Sequence, residues 1–330
     1  MDRIRIAALL AAGLLFLGGC GGRTAPSSTD PGGDVAAERS APTPAREPME
    51  TETEPTAAAP APSREIPAFR EALFHEAAAE ELAGCRLDFS ALAEGYVAVS
   101  ARSDKRLKFQ VIKDDVTYTY DLASDGTPSI YPLQSGDGAY TFRVMENVVD
   151  SKYAELCAET REVKLADEFQ PYLRPNDYVR YTESSDCVRL SRELSASAAD
   201  DAELVAAVYG YICDHISYDT EKAMTVVSGY LPDADSTLRE QKGICFDYAS
   251  LGAAMLRCQG IPTKLITGYV SPEGLYHAWN MFYTEETGWI TVTFRVDPGN
   301  WNRLDLTFSA GGVGPEFVGD GSNYADLYQY

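Results

Sequence analysis

The spacing of apolar residues changes period along this chain, and that change constrains its fold more than any other feature. Apolar residues one turn apart mark a helix face, whereas alternation marks a strand with one buried side. Between residues 95 and 144 the chain alternates. Segments 95–99, 107–111, 116–120 and 139–144 are strand candidates, separated by the turn signals Ser124-Asp125-Gly126 and Ser135-Gly136-Asp137-Gly138. Short strands so spaced predict a β-sandwich-like region. Ahead of it, Phe69, Leu73 and Ala77 recur at helical spacing and predict a helix over 66–82, closed by Gly84.

From about residue 190 the helical period returns. Asp200, Asp201 and Glu203 place acids in a first turn, where the helix dipole favours them. Leu204, Val205, Val208, Tyr209 and Ile212 form one apolar face that ends near His215. A second helix over 245–257 stops at Gln259-Gly260-Ile261-Pro262. Strand-like runs follow at 264–270, 276–283, 289–296 and 301–308. Helices first and antiparallel strands after is an α+β layout. The expected organisation is a β-rich accessory domain over 66–190 and an α+β domain over 191–330, with no internal repeat.

The first 65 residues read differently. Arg3 and Arg5 precede an apolar stretch from Ile6 to Leu17, the layout of a secretory signal. It is shorter than the ~20 residues a bilayer-spanning helix needs. It ends in Leu17-Gly18-Gly19-Cys20-Gly21, which resembles the lipobox of bacterial lipoproteins. That resemblance implies a signal peptide over 1–20, lipidation of Cys20, and an extracytoplasmic protein anchored to a bacterial membrane by acyl chains. Residues 21–65 are rich in Pro, Ala, Ser, Thr, Gly and Glu without apolar period, and read as a disordered tether. The 50 acidic and 28 basic residues leave a net charge of −22. Such a surface argues against nucleic acid and against electrostatic docking on anionic lipid.

One of the seven Cys stands apart. Cys245, in Lys242-Gly243-Ile244-Cys245-Phe246-Asp247-Tyr248, opens an apolar-periodic helix. Backbone N–H groups at a helix N-terminus favour a thiolate, the form that acts as nucleophile. They also serve an oxyanion once an acyl group is attacked. Cys213 and Cys258 lie on amphipathic helices and are expected in cores. Cys85, Cys157 and Cys187 lie in or near the β-rich region, where Cys157 with Cys187 is the candidate disulfide outside the cytosol. No Cys-x-x-Cys appears, which speaks against structural zinc.

A reactive thiol needs a base, and the chain has only three His. His75 lies near the tether and His215 ends a helix. His277, in Tyr276-His277-Ala278-Trp279-Asn280, begins a strand, which holds a side chain on a fixed face.

Together these segments resemble the transglutaminase-like core of bacterial proteins. The resemblance rests on Gly243-Ile244-Cys245-Phe246-Asp247-Tyr248-Ala249, Leu256-Arg257-Cys258-Gln259-Gly260-Ile261-Pro262, Gly268-Tyr269-Val270, His277-Ala278-Trp279-Asn280 and the upstream Ile216-Ser217-Tyr218-Asp219. It covers roughly residues 200–310 and implies a papain-like α+β fold. It further implies a Cys-His-Asp triad of Cys245, His277 and an Asp on the following strand. The common pattern Trp-x-x-Val-Asp-Pro breaks here, because Thr293 follows Trp289-Ile290-Thr291-Val292. Two carboxylates remain. Asp297 stands before the turn Pro298-Gly299-Asn300. Asp305, flanked by Leu304 and Leu306 in an expected strand, resembles the Asp of a subset whose strand is lengthened by a hairpin, and is the preferred third member. The backbone N–H of Cys245, or side chains of Gln241 or Tyr218, are candidate oxyanion donors, and Trp279 is expected in the cleft or the core beside His277.

The implied activity is acyl transfer or hydrolysis at amide bonds of proteins or cell-wall peptides through a Cys245 thioester. No cofactor is implied, and no acidic loop suits calcium. The rival reading is a non-catalytic surface-binding or adhesion lipoprotein with a degenerate core.

Overall fold

The alternating segments form strands, and these close two facing sheets. A computed structural model describes residues 64–272, 274–287, 295–312 and 321–330. The expectations for residues 1–20, the Cys20 lipobox and most of the 21–65 tether lie outside the described residues.

The β-rich region comprises β1 (Glu80–Leu82), β2 (Cys85–Asp88), β3 (Tyr96–Ala101), β4 (Leu107–Lys113), β5 (Val116–Leu122), β6 (Ser129–Pro132), β7 (Gly138–Val149) and β8 (Lys152–Val163). One sheet has the order β1-β2-β3-β6 and the other β5-β4-β7-β8; every pairing is antiparallel. In β4 the residues Leu107, Phe109 and Val111 are buried while Lys108 and Gln110 are not, which is the alternation read from sequence. The sheets meet through rings. Phe109 stacks on Tyr131 with centroids 5.0 Å apart, and Tyr120 on Tyr131 at 4.5 Å.

The second region contains α1 (Asp186–Ser195), α2 (Asp201–His215), β9 (Ser217–Tyr218), α3 (Thr220–Thr225), α4 (Ala234–Glu240), β10 (Lys242–Gly243), α5 (Cys245–Arg257), β11 (Thr263–Val270), β12 (Leu275–Thr284), β13 (Asn300–Leu304), α6 (Leu306–Ala310) and β14 (Tyr324–Gln329). Its main sheet is antiparallel with the order β13-β12-β11-β14. This mixed architecture of a β-rich region and a helix-on-sheet core is the α+β class.

Helix α5 is the spine of that core. Every residue from Asp247 to Arg257 is buried. A helix buried all round needs partners on each side, and α5 has α1, α2 and α4 besides the sheet. A Cβ at Gly252 would lie 2.5 Å from Leu306 Cδ1 and 2.9 Å from Asn280 Oδ1, so glycine lets α5 approach β12 and α6 closely. Asn280 Nδ2 donates to the Ala249 carbonyl at 2.9 Å and to the Lys264 carbonyl at 3.1 Å, tying α5 to both neighbouring strands. At the far end Arg257 is only 1% exposed, and its guanidinium donates to the carbonyls of Thr263 and Arg174 and to the main-chain oxygen of Tyr330. Burial depresses its pKa to about 10.

Several expectations are corrected. Residues 66–82 form no helix: they run irregular to a turn at 76–78 and then enter β1. Side chains claim the backbone there, since Tyr96 Oη both accepts from Leu73 N and donates to Leu73 O, while Asp88 accepts from His75 N. The run 301–308 is split, with β13 ending at Leu304 and α6 starting at Leu306. The division at 190/191 falls inside α1, which packs on α5 through a Ser191 Oγ bond to the Met255 carbonyl at 2.5 Å. One continuous core extends from Cys85 to Tyr330. Cys157 does not face Cys187. Cys187 is buried on α1, where its N–H donates to Asp235 at 2.9 Å, and Cys157 faces Cys85. Residues 289–294 of the predicted 289–296 strand lie outside the described residues.

Candidate active site

Cys245 is the first residue of α5, half-buried, with Ile244 as N-cap. The turn that presents it is held by Asp247. That carboxylate is fully buried and accepts from Ile244 N at 2.8 Å and from Lys222 Nζ at 2.7 Å, and it also accepts from the Tyr230 hydroxyl. Gly243 makes room for this arrangement, because a Cβ there would stand 2.6 Å from Asp247 Cβ. Pairing of β10 with β9 sets Gly243 opposite Tyr218, and Asp219 N donates to the Gly243 carbonyl at 2.9 Å. Tyr218 therefore flanks Cys245. Burial, and secondarily the Cys245 charge, push its phenol pKa up. Gln241, the other side-chain candidate, is the exposed left-handed C-cap of α4. The first N–H groups of a helix have no i−4 carbonyl, which leaves the Cys245 N–H as the donor that geometry favours.

His277 lies on β12 and is 3% exposed. Its Nε2 is 2.8 Å from Asp305 Oδ2, and Cys245 lies close enough to the ring to help raise its pKa. Nδ1 is thus the nitrogen left for the thiol. Phe308 stacks on the ring at 4.4 Å and fixes its plane. Burial alone would push the imidazole down. The Asp305 charge and hydrogen bond, followed by Cys245, outweigh it and raise the pKa to about 10.

Asp305 is 2% exposed and serves as the N-cap of α6. Its Oδ1 accepts from Phe308 N at 3.0 Å, while Oδ2 accepts from Tyr324 Oη at 2.8 Å besides meeting His277. A short polar residue at a strand-to-helix junction is a natural cap, and the cap fixes the oxygen that faces the imidazole. Asp297 is elsewhere. It is exposed and accepts from Asn300 Nδ2 at 2.9 Å within its own turn. Trp279 is buried in the core against Tyr324, with centroids 4.9 Å apart.

The structure thus brings together Cys245, His277 and Asp305. It sets apart His75, which is 3.1 Å from Asp88, and His215, whose Nδ1 is 2.8 Å from the Tyr211 carbonyl. Sequence reasoning missed Tyr324, Asp247, Lys222 and Tyr230. The Asp247 spacing, two residues after the Cys, was a usable signal; Tyr324 lies in a strand with only one buried position, which hides it. Among the described residues no group of three or more His, Cys, Asp or Glu is placed to hold a metal ion.

A thiol at a helix N-terminus, a buried imidazole and a buried carboxylate define the class of cysteine acyl-transfer sites. Residues 188–294 match the model of the transglutaminase-like superfamily, so the chain carries a transglutaminase-like domain. The match includes Cys245 and His277, and Asp305 lies past its end. The kyphoscoliosis peptidase of Mus musculus is 31% identical over 132 residues, covering 37% of this chain and 18% of that protein. A protein-glutamine gamma-glutamyltransferase of Pseudomonas aeruginosa is 30% identical over 124 residues, covering 33% of this chain and 18% of that protein. The chain spans about a fifth of the length of these curated relatives. A solved structure of red sea bream transglutaminase aligns at 14% identity with a TM-score of 0.28, covering 70% of this chain and 50% of that chain.

Proposed function

We propose that this chain is an extracytoplasmic, lipid-anchored cysteine enzyme that acts on amide bonds of proteins or cell-wall peptides. The observation that supports this reading is the buried His277–Asp305 pair, 2.8 Å apart, with Cys245 beside the imidazole. Cys245 Sγ attacks the amide carbonyl. His277 Nδ1 takes the thiol proton and delivers it to the leaving amine, and a thioester remains. Asp305 holds the imidazole with Nδ1 toward the sulfur and stabilises its protonated form. The Cys245 N–H is placed to receive the oxyanion. Water or an amine then resolves the thioester, with His277 as base, to give hydrolysis or cross-linking respectively.

Cys245, His277 and Asp305 are the proposed catalytic residues, and Cys20 the proposed lipidation site. The Leu17-Gly18-Gly19-Cys20 sequence supports the anchor. The C20A variant is expected in the soluble fraction, and its retention in the membrane fraction would remove that part of the reading. The test of the activity is incubation with a Gln-bearing peptide and a primary amine. Release of ammonia that depends on Cys245 supports the enzyme, and the ratio of free acid to amine adduct assigns hydrolase or transferase. Absence of any Cys245-dependent product across Gln peptides and cell-wall peptides would count against it.

A further inference from the structure

Cys85 and Cys157 lie 72 positions apart in sequence (157 − 85) and on different sheets, yet each thiol perturbs the other, so the two side chains are neighbours. Cys85 begins β2, is 2% exposed, and belongs to the sheet β1-β2-β3-β6. Cys157 is half-buried on β8, the edge strand of the sheet β5-β4-β7-β8. An edge strand has a neighbour on one side only and is the weakest-held part of a sheet.

The register of β8 explains the approach. Val144 pairs with Cys157 and Met145 with Glu155, so Leu156 is an extra residue opposite the gap. Such a bulge breaks alternation and re-aims side chains. Here it turns both Leu156 and Cys157 inward, and both pack against the core. Nearby, Arg161 of β8 reaches the first sheet, bonding Glu80 at 2.6 Å and lying over the Phe89 ring at 4.6 Å. The same face of the β8 edge is thus already tied to the opposing sheet by charge and ring contact.

We propose that Cys85 and Cys157 form a disulfide that fastens edge strand β8 to the facing sheet. The oxidant is a disulfide donor such as oxidised glutathione. The Cys157 thiolate attacks one sulfur of the donor, forming a mixed disulfide and releasing one glutathione thiolate. The Cys85 sulfur then attacks the Cys157 sulfur, and the second glutathione leaves with the Cys85 proton. Two protein thiols are oxidised to one disulfide and one donor disulfide is reduced to two thiols. The neighbouring Cys85 thiol lowers the Cys157 pKa, which suits Cys157 to the first attack. Persistence of the bond in the cell rests on the extracytoplasmic location proposed above. Its formation from the purified chain does not, so the two ideas fail separately.

The test is to reduce the full-length protein, expose it to a glutathione redox buffer, quench with acid, alkylate and map peptides without reduction. A linked Cys85–Cys157 peptide pair is expected as the dominant intramolecular disulfide. Reductant should then lower the melting temperature by about 10 °C, because the closed loop is long. The C85S/C157S variant should melt without dependence on reductant. If that variant does not fold, C157S alone serves, since its site is half-buried. Recovery of both residues as alkylated thiols or separate glutathione adducts, pairing of either with another Cys, or a wild-type melting temperature indifferent to reductant would each overturn the proposal.

Discussion

His277 Nε2 and Asp305 Oδ2 stand 2.8 Å apart, and neither residue is more than 3% exposed. A charge pair so shielded is sensitive to loss of one partner. The D305N variant should keep its α6 cap yet present the wrong group to the imidazole. Its kcat is expected to fall by about 10² to 10⁴, on the scale of triad carboxylate removal. The D297N variant, altered only within an exposed turn, should stay within about two-fold, as expected of surface substitutions. Steady-state kinetics of the two variants decides between the carboxylates, and equal losses would contradict the assignment.

The same pair makes stability depend on pH. His277 has a folded pKa raised from 6.5 to about 10. A raised folded value contributes stability that is fully present below the unfolded pKa and lost as pH rises through the folded one. The contribution is therefore complete below pH 6.5 and declines toward about pH 10. Urea unfolding of wild type and D305N at several pH values should show a gap that narrows across that window. A gap that widens with pH would show that the sign is wrong.

Tyr324 donates to the same carboxylate oxygen that faces His277, at 2.8 Å. Removal of this hydroxyl in Y324F leaves Asp305 less firmly oriented, with His277 as the remaining partner of that oxygen. The expected result is a kcat loss of about tenfold, the size of one hydrogen bond to a charged group. KM should change little, because Tyr324 acts through Asp305. The alkaline limb of the pH profile should move up, since the carboxylate oxygen no longer shares its charge between Tyr324 and the imidazolium. A purely structural role would leave that limb in place.

At Gly252 helix α5 has no room for a side chain against Asn280 of β12 and Leu306 of α6. In G252V the new side chain meets Leu306 Cδ1 at 2.5 Å and Asn280 Oδ1 at 2.9 Å from its Cβ alone. Overpacking of this kind costs about 1–3 kcal/mol. Urea midpoints measure it, and an unchanged midpoint would mean that the packing can relax.

The legible parts of the sequence were those where one physical cause dominated. Helix α5 has the bounds read from Cys245 and the Gly260 stop, because apolar packing and capping agree there. Strand β12 carries His277 near its start, as expected. Helix α1 was not legible, since half of its buried face is polar, with Ser191 and Ser195 beside Cys187 and Val188. Strand β14 was hidden because only Tyr324 of its six residues is buried. The apolar spacing of Phe69, Leu73 and Ala77 misled, because the Tyr96 hydroxyl and the Asp88 carboxylate satisfy backbone groups that a helix would have used. Asp305 was read as a strand residue. Its role as a cap depends on the chain turning at Leu304, which no local period announces.

The central claim is that Cys245 is a nucleophile activated by His277. Its most direct measurement is the rate of Cys245 alkylation by iodoacetamide near neutral pH in wild type and in H277A, read by peptide mass spectrometry against Cys213 as an internal half-buried thiol. Wild-type Cys245 should react far faster than Cys213, and H277A should lose most of that advantage. Equal rates in the two proteins, or a Cys245 no faster than Cys213, would contradict the account.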